Sequence, residues 1–176
     1  MILRYRNKTP AIDKTSFVAE NAALIGEVYI GKYSSIWFSA VLRGDINYIS
    51  VGDYTSVQDG VVIHVTKTLP SKVGNYVTIG HGAILHGCII DDFVLIGSGA
   101  NVLDEVIIGK NSIVAAGAVI TPKTVIPANS MVMGIPGKVV RTISPEEVSF
   151  LREHAEEYVQ LMKSYQENSF KNKISQ

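Results

Sequence analysis

The chain has 176 residues, about the length of one domain, and 47% of them are hydrophobic, which is enough to build a sizeable core. Lysine plus arginine and aspartate plus glutamate number 16 each, so the formal net charge is zero. The sequence therefore lacks the basic surplus that binding to a nucleic-acid backbone requires, and we expect no nucleic-acid partner.

The N-terminal segment and the cysteine content indicate where the protein works. The first ten residues, MILRYRNKTP, contain no apolar stretch of the kind found in signal peptides. No apolar run approaches the roughly 18 residues of a transmembrane helix. One cysteine cannot form an internal disulfide, which is typical of proteins from a reducing compartment. We therefore expect a cytoplasmic protein without a membrane partner.

A repeat of six residues organises most of the chain. Its anchor is a Val, Ile or Leu, and a second, mostly small residue stands two positions before each anchor, with Ile49 as the bulky exception. This period of two is typical of a strand whose two residues both face inward. Gly, Asp or Asn often follows the anchor, as expected at a sharp corner between strands. The anchors are Val18, Leu24, Ile30, Ile36, Leu42, Val51, Val57, Ile63, Val73, Ile79, Leu85, Ile90, Ile96, Val102, Ile108, Val114, Ile120, Ile126 and Val132.

This repeat predicts the fold class. A period of six is too short to include a helix and is typical of a parallel β-helix, in which three repeats close one triangular coil of about 18 residues. Neighbouring coils stack at the strand spacing of about 4.8 Å. The repeat covers roughly residues 11–137, so we expect an all-β domain over residues 1–137 with a short N-terminal lead-in.

A C-terminal α-helix is predicted after the repeat ends at residues 134–137. Ser144 is a suitable N-cap, Pro145 suits the first helical position, and Glu147 completes a capping box. An apolar stripe spaced by three and four residues then indicates one buried face. The stripe comprises Val148, Leu151, Ala155, Tyr158, Met162 and Tyr165.

The C-terminal part of the chain is expected to be a helix that packs on the β-helix or on a neighbouring subunit. We assign residues 138–176 to this helix and its tail, and the polar residues 169–176 should fray. His154 falls outside the apolar stripe, so we expect its side chain to be solvated.

Two histidines share one corner of the predicted prism. His64 follows the anchor Ile63, and His86 follows the anchor Leu85, 22 residues later. That separation equals one coil of 18 residues plus four extra residues in the excursion at residues 66–72. The two side chains should therefore stack about 4.8 Å apart at the backbone, within reach of one cation.

A third histidine lies near a different corner. His81 stands two residues after Ile79, about a third of a turn from His86, and should not reach the same cation within its own chain. In a three-fold trimer, His81 of a neighbouring subunit can meet His64 and His86 across the interface. Three imidazoles with an open fourth position are typical of catalytic zinc. The single cysteine, Cys88, lies in the inward column and is predicted to be core.

Several short segments resemble one known family. They are Leu-Arg-Gly-Asp at 42–45, Val-Gln-Asp-Gly at 57–60, Ile-His at 63–64, Ile-Gly-His-Gly at 79–82 and Leu-His-Gly-Cys at 85–88, with Gly-Ile-Pro-Gly at 134–137. Over nearly the whole chain, the sequence resembles the γ-class carbonic anhydrase family and its hexapeptide-repeat relatives. The resemblance implies a left-handed parallel β-helix, although ordinary parallel crossovers are right-handed. The histidine triplet makes it more specific than the hexapeptide repeat alone, which many acyltransferases share.

The resemblance also implies a reaction and a cofactor. Family members are homotrimers with Zn²⁺, or Fe²⁺ or Co²⁺, at each subunit interface, and the metal ligands correspond to His64, His81 and His86. A metal-bound hydroxide in such a site hydrates CO₂ reversibly to bicarbonate, with weak activity in some relatives.

Four further residues correspond to polar groups of the family's site. Gln58 corresponds to the glutamine that holds the metal-bound water or hydroxide by a hydrogen bond. Arg43, Asp45 and Asp59 correspond to a charge cluster at the interface that orients the site and ties subunits together. The same three residues would also suit an ion pair at a trimer seam without a kinetic role.

The sequence departs from the best-known members in its proton-transfer groups. The excursion at residues 66–72, TKTLPSK, contains no acid where those members carry a glutamate that shuttles protons. Ile46 stands in place of a second glutamate, and Ser56 in place of an asparagine. The proton must therefore leave through buffer, or turnover is slow. Tyr158 on the helix lies over the site or packs on the apolar stripe, and the sequence favours neither.

Two other functions remain open at this point. A CoA-dependent acyltransferase or thioesterase of the hexapeptide-repeat superfamily would need only one histidine as general base, and Lys67 and Lys72 alone provide little basic character for CoA. A non-catalytic trimeric subunit that binds metal is the other alternative. Metal content would distinguish the non-catalytic subunit from a carbonic anhydrase, and CoA binding would identify an acyltransferase or thioesterase.

Overall fold

Short strands recur at the spacing of the anchors in the computed structural model, which describes residues 1–169. Within these residues, the strands precede one helix. In chain order the elements are β1 (Ile2–Leu3), β2 (Ala11–Ile12), β3 (Phe17–Val18), β4 (Ala23–Ile30), β5 (Ser35–Ile36), β6 (Val41–Val51), β7 (Ser56–Val57), β8 (Val62–His64), β9 (Ser71–Val73), β10 (Thr78–Ile79), β11 (Ile84–His86), β12 (Ile89–Ile90), β13 (Leu95–Ile96), β14 (Asn101–Val102), β15 (Ile107–Ile108), β16 (Ile113–Val114), β17 (Val119–Ile120), β18 (Val125–Ile126), β19 (Ser130–Met133), β20 (Lys138–Thr142) and α1 (Pro145–Ser169).

Parallel pairing between successive coils divides the strands among three faces of a solenoid. Face 1 contains β8, β11, β14 and β17, and face 2 contains β9, β12, β15 and β18. Both belong to one 12-stranded sheet because β6 pairs with β8 at residues 41–42 and with β9 at residues 49–51. Face 3 is an eight-stranded sheet in the order β20-β19-β16-β13-β10-β7-β5-β3. Each coil passes from face 3 through face 1 to face 2, which confirms the predicted parallel β-helix.

The hydrophobic core lies inside the solenoid and consists of the repeat itself. All the anchors are buried except Val18, which is partly buried in the first coil. The column two residues before them is also buried, except at Ser16 and Thr124, which are partly buried. Burying one Val, Ile or Leu side chain contributes about 1.5–3 kcal/mol, so the stacked anchors stabilise every coil.

Glycines after the anchors allow close packing between coils. Gly97 does not have a positive φ, and a Cβ atom on it would lie 2.4 Å from the backbone nitrogen of Ala116 in the next coil. The left-handed conformation falls instead on other residues, such as Tyr54 and Tyr76 with φ of 55° and 54°. Their rings stack with centroids 4.7 Å apart. The glycine after the anchor Ile96 is therefore needed to avoid a clash between coils, and the left-handed backbone conformation lies on other residues.

The N-terminus of α1 has the predicted capping box. The Ser144 backbone N–H donates to Glu147 Oε2 at 2.8 Å, and the Glu147 N–H donates to Ser144 Oγ at 3.3 Å. Arg141 donates to both carboxylate oxygens of Glu147, at 2.6 and 2.7 Å. The Arg141 guanidinium and the Ser144 N–H lower the pKa of Glu147 from 4.5 to about 2. These bonds connect the helix to the end of the solenoid.

The helix packs across the outer side of face 3, over β3, β5, β7 and β10. Leu151, Ala155 and Met162 of the predicted stripe are buried. Val159 is also buried, beside Met162 and Trp37, although the stripe did not include it. The wide apolar face of this helix therefore covers the solenoid of its own chain.

The prediction that His154 is solvated is wrong. Its side chain is only 24% exposed. The ring stacks on Phe150 with centroids 5.1 Å apart and meets Tyr158 edge-on at 5.3 Å. The cause is the size of these two neighbours on the helix, which enclose the imidazole between them.

The end of the repeat contains a strand that the sequence did not indicate. After the turn at residues 134–137, β20 runs back antiparallel along β19 and forms the edge of face 3. This strand lies within residues 138–176, for which the sequence predicts only the helix and its tail. The expectation that residues 169–176 fray concerns a segment that, beyond Ser169, lies outside the described residues. Within residues 1–169, no helix is both long and apolar enough to cross a membrane.

Candidate metal centre

His64 and His86 stand side by side at the end of face 1. They are direct partners in the parallel pairing of β8 with β11, as their positions after successive anchors predict. Nδ1 of His64 lies 3.1 Å from Nε2 of His86, and the ring centroids are 5.1 Å apart. Both side chains are mostly shielded from solvent, with 17% and 33% of their surface exposed. The two rings therefore direct one nitrogen each toward a common point.

The outer nitrogens of both rings contact carboxylates. Asp45 Oδ1 lies 3.1 Å from His64 Nε2, and Asp104 Oδ1 lies 2.5 Å from His86 Nδ1. Arg43 Nη1 donates to the second oxygen of Asp45 at 2.5 Å. Burial raises the pKa of Asp45, but the hydrogen bonds from Arg43 and His64 outweigh burial, and the net pKa is lowered. Asp45 is therefore an ionised acceptor at neutral pH.

These carboxylates determine which ring nitrogens carry hydrogen. An ionised carboxylate can only accept, so the nitrogen facing it must be an N–H. In a neutral imidazole the other nitrogen then carries a lone pair. We infer that the lone pairs of His64 Nδ1 and His86 Nε2 face each other, an arrangement that a cation or a proton between them would stabilise.

The fit to a metal ion can be judged from this separation. Two nitrogens at about 2.0–2.1 Å from one tetrahedral zinc ion are about 3.3 Å apart, close to the 3.1 Å observed. Imidazole nitrogens backed by carboxylates are also the usual environment of histidine ligands. The donor set and its spacing therefore fit a divalent cation.

His81 belongs to a second group of site residues at the other end of face 1. Its Nδ1 lies 2.9 Å from Asp59 Oδ2, and its backbone N–H donates to Gln58 Oε1 at 3.2 Å. Gln58 is buried, whereas the His81 and Asp59 side chains are 56% and 45% exposed. Gln58 and Asp59 follow β7 of face 3, and His81 follows β10, the strand of face 3 in the next coil, so the pairing of these two strands brings the three residues together before face 1 begins.

Tyr158 joins this second group from the helix. Its ring packs against Trp37 with centroids 6.0 Å apart, and its hydroxyl lies close enough to the Gln58 side chain for Gln58 to affect its pKa. Burial and the nearby Asp59 carboxylate raise the pKa of the Tyr158 hydroxyl, and the Gln58 side chain opposes this effect only in part. Tyr158 therefore combines the two roles that the sequence left open, packing on the solenoid and contact with a site residue.

The predicted site residues thus form two clusters within one chain. Arg43, Asp45, His64 and His86 lie at the end of the face 1 strands, and Gln58, Asp59, His81 and Tyr158 lie where those strands begin. Among the described residues of a single chain, no three His, Cys, Asp or Glu side chains are arranged to hold a metal ion. His81 therefore lies in a different cluster from His64 and His86.

Asp104 is the site residue that the sequence analysis missed. It belongs to the coil after His86, two residues past the anchor Val102. A search for carboxylates one coil, or 18 residues, away from each histidine would have found it. Motif matching did not, because the contact joins two coils.

The excursion between β8 and β9 forms a tight turn beside His64. Thr66 Oγ1 accepts from the Leu69 N–H at 2.9 Å, and Ser71 Oγ donates to the His64 carbonyl at 2.6 Å. Lys72 lies over the ring of Tyr48 at 5.6 Å. The segment contains no carboxylate, as its sequence requires.

Comparison with known proteins places this arrangement in context. A family model described as "Bacterial transferase hexapeptide (six repeats)" matches residues 87–122. "Probable carbonic anhydrase" of Methanocaldococcus jannaschii is 44% identical over 85% of this chain and 94% of its own length. "Gamma carbonic anhydrase 2, mitochondrial" of Arabidopsis thaliana is 43% identical over 88% of this chain, but the chain spans only 58% of that relative's length.

One solved structure is similar over nearly the full length of both chains. It is described as a "putative acetyltransferase" of Bacillus cereus, is 35% identical, and has a TM-score of 0.92. The alignment covers 93% of this chain and 95% of that chain. The fold is therefore shared by relatives described as carbonic anhydrases and by at least one described as a transferase.

Proposed function

The chain belongs to the γ carbonic anhydrase family, and from that premise we propose that it catalyses the reversible hydration of CO₂ to bicarbonate at metal sites shared between the subunits of a homotrimer. The observation that carries the proposal is the His64–His86 pair, whose inner nitrogens are 3.1 Å apart while carboxylates engage the outer ones. A cytoplasmic location remains part of the proposal, supported by the single buried free thiol, Cys88.

His81 is the proposed third ligand, donated by the adjacent subunit. It precedes β11, whereas His64 and His86 end β8 and β11, so the ligands occupy opposite ends of face 1. In a cyclic trimer whose axis lies beside face 1, the end of face 1 in one subunit meets the beginning of face 1 in the next subunit. The symmetry repeats this contact at all three interfaces. Val62 and Ile84, which are 37% and 40% exposed on this face, would then be covered.

The donor set is suited to zinc. Three neutral imidazoles leave the full charge of the ion in place, and Zn²⁺ bound in this way supplies a Lewis acid that lowers the pKa of water to about 7. Fe²⁺ and Co²⁺ are also bound by imidazole, and the ordinary affinity series favours zinc over iron.

The remaining residues of the site hold the ligands and orient the reactants. Asp45, itself held by Arg43, keeps the hydrogen on His64 Nε2. Asp59 likewise keeps the hydrogen on His81 Nδ1. These contacts fix the ring orientations without requiring any of the carboxylates to take up the proton of the reaction.

Gln58 is the proposed donor to the reacting oxygen. Its Oε1 accepts from the His81 N–H, which fixes the direction of the amide. An amide nitrogen has two hydrogens, so one can bond Tyr158 while the other donates to an oxygen of the substrate or product. Tyr158, held neutral by its raised pKa, keeps this amide in place.

The proton released by hydration leaves through solvent buffer in this proposal. The excursion beside His64 contains no carboxylate, and Ile46 is 45% exposed where an acid would be needed. Turnover should therefore increase with buffer concentration until another step limits it.

The test is stopped-flow hydration of CO₂ by anaerobically purified protein whose metal content has been measured, at several buffer concentrations. We expect a metal-dependent rate that increases with buffer. Full metal occupancy with no hydration at any buffer concentration would overturn the proposal. His81→Ala, which should bind no metal, is the matched control.

A second candidate is CoA-dependent acyl transfer or thioester hydrolysis. It is favoured by the transferase description of the Bacillus cereus structure and by an apolar groove of about 370 Å³ beside the excursion, lined by Leu69, Pro70 and Ile89 among others. Binding of CoA measured by calorimetry would support it. A trimer that binds metal but shows neither CoA binding nor hydration would match the third possibility, a non-catalytic metal-binding subunit.

A further inference from the structure

Asp104 contacts a proposed metal ligand from a coil in which the family motifs have no residue. It follows β14, the face 1 strand that pairs with β11, and its Oδ1 lies 2.5 Å from His86 Nδ1. The two side chains are 40% and 33% exposed, so the contact lies at the rim of the solenoid corner. An isolated pair of this exposure would contribute little to stability.

The backbone between the two coils makes room for this contact. Gly87, directly after His86, has a φ of +54°, and a Cβ atom there would lie 2.9 Å from Asp104 Oδ1. It would also lie 3.2 Å from the Leu69 side chain. A larger residue at position 87 would push against the carboxylate that reaches His86. The close approach of Asp104 therefore depends on a glycine at this position.

We propose that Asp104 is a positioning residue of the metal centre, which keeps the hydrogen on His86 Nδ1 and so presents Nε2 of that ring to a divalent cation. The inference rests on the proposed function, because it takes His86 as a ligand. It goes further by assigning a role to a residue outside the motifs that carry the family resemblance.

The tautomers of the two histidines explain this role. Free imidazole can carry its hydrogen on either nitrogen, and the hydrogen bond to one nitrogen determines which is available as a ligand. Asp45 has this effect on His64, and Asp104 has it on His86, so each ligand has its own carboxylate. Without Asp104, His86 could carry its hydrogen on Nε2, the nitrogen that faces His64. Nε2 would then be a hydrogen-bond donor and would lack the lone pair that binds the ion. Losing such a carboxylate typically weakens metal affinity about 10- to 100-fold.

The first test measures affinity for Zn²⁺ alone, by competition with a chromophoric chelator. We expect Asp104→Ala to bind zinc about 10- to 100-fold more weakly than the wild-type protein. Asp104→Asn should lose less, because its amide oxygen can still accept from His86 Nδ1. Glu105→Gln, which removes a negative charge from the adjacent exposed position, should bind zinc as the wild type does and thus controls for general electrostatic attraction.

The second test does not involve metal. In ¹⁵N-labelled, metal-free protein, long-range ¹H–¹⁵N correlation spectra report which nitrogen of His86 carries the hydrogen. We expect the hydrogen on Nδ1 in the wild type and a shift of the population toward Nε2 in Asp104→Ala. A purely structural role of Asp104 would not change this ratio. Light scattering and circular dichroism would establish that the variant keeps its fold and oligomeric state.

The outcomes separate this inference from the proposed function. Wild-type zinc affinity in Asp104→Ala, or an unchanged His86 tautomer, would overturn the role of Asp104 and leave the metal centre intact. An equal loss of affinity in Glu105→Gln and Asp104→Ala would also overturn it, because charge alone would then explain the effect. Failure of the wild-type protein to bind zinc would overturn both proposals.

Discussion

His64 Nδ1 faces His86 Nε2 at 3.1 Å, although the two residues are 22 positions apart in the sequence. The parallel pairing of β8 with β11 creates this relationship, and the four additional residues at 66–72 are accommodated in a turn that leaves the register unchanged. The third proposed ligand, His81, lies at the opposite end of the same face. Because the proposed ligands lie at opposite ends of face 1, assembly, metal binding and turnover can each be tested separately.

Two inactive variants should complement each other. His64→Ala and His81→Ala should each bind no metal, because each removes a ligand from every site of the trimer. When the two are mixed under conditions of subunit exchange, each mixed trimer should regain one intact site, since cyclic symmetry pairs one chain's His64 and His86 with the next chain's His81. Metal content after exchange is the measurement. Mixtures that stay free of metal, while mass spectrometry shows mixed trimers, would contradict the shared site.

A charge on face 1 should prevent assembly. Ile84→Asp places a carboxylate on the exposed apolar surface between the two ends of the site, and we expect light scattering to report monomers. Ile107→Asp on face 2 is the matched control, because Ile107 is exposed to a similar extent, 38% against 40%. Loss of assembly in the control instead of the test variant would assign the interface to face 2.

The core anchors should contribute more to stability than the outward-facing residues of the solenoid strands. Ile96→Ala removes a fully buried anchor and should lower the free energy of unfolding by about 2–5 kcal/mol. Ile107→Ala, at a position that is 38% exposed, should cost about 1 kcal/mol or less. Urea unfolding at equal protein concentration measures both, since assembly makes stability depend on concentration. Equal losses of unfolding free energy in the two variants would mean that the Ile107 side chain is also buried in the protein.

The helix N-terminus should respond to acid. The folded-state pKa of Glu147 is depressed to about 2 from 4.5, so its contribution to stability is present above pH 4.5 and is lost as the pH falls toward 2. Glu147→Gln should therefore lower the urea midpoint at pH 7, and its difference from the wild type should shrink across that interval. Glu153→Gln, which removes an exposed carboxylate from the same helix, is the matched control. A difference that stays constant down to pH 2 would contradict the assignment.

An acid placed in the excursion should increase turnover where proton release limits it. Thr68 is exposed in the turn beside His64, and Thr68→Glu supplies a carboxylate that can carry the proton to solvent. We expect a higher kcat for CO₂ hydration in dilute buffer and no gain in concentrated buffer. Thr68→Gln has the same shape without the charge and should behave as the wild type does. A gain that persists in concentrated buffer would show that proton release is not the step affected.

The sequence predicts most of the solenoid because each anchor occupies an equivalent environment. Burial of the anchors from Leu24 to Val132 follows directly from the six-residue period, and the register of His64 with His86 follows from counting coils. The helix start is equally predictable, since Ser144 and Glu147 satisfy local backbone groups that any helix leaves unpaired.

Features that depend on contacts between distant elements could not be predicted in this way. The Asp104–His86 contact depends on the exact path of two coils, and the approach of Tyr158 to Gln58 depends on which face the helix covers. The choice of face 3 involves Trp37, whose ring packs beside Met162 and Val159. The edge strand β20 was missed because its residues carry no six-residue period.

The direction of β20 has a consequence for self-association. Parallel coils can in principle continue without limit, because the last strand of each face offers the same unpaired backbone groups as the one before it. On face 3 this series ends at β20, which runs antiparallel to β19 and occupies its free edge. A second solenoid meeting this end finds a strand of the wrong polarity for continued parallel stacking. The reversal at residues 134–137 therefore ends the parallel pairing on face 3.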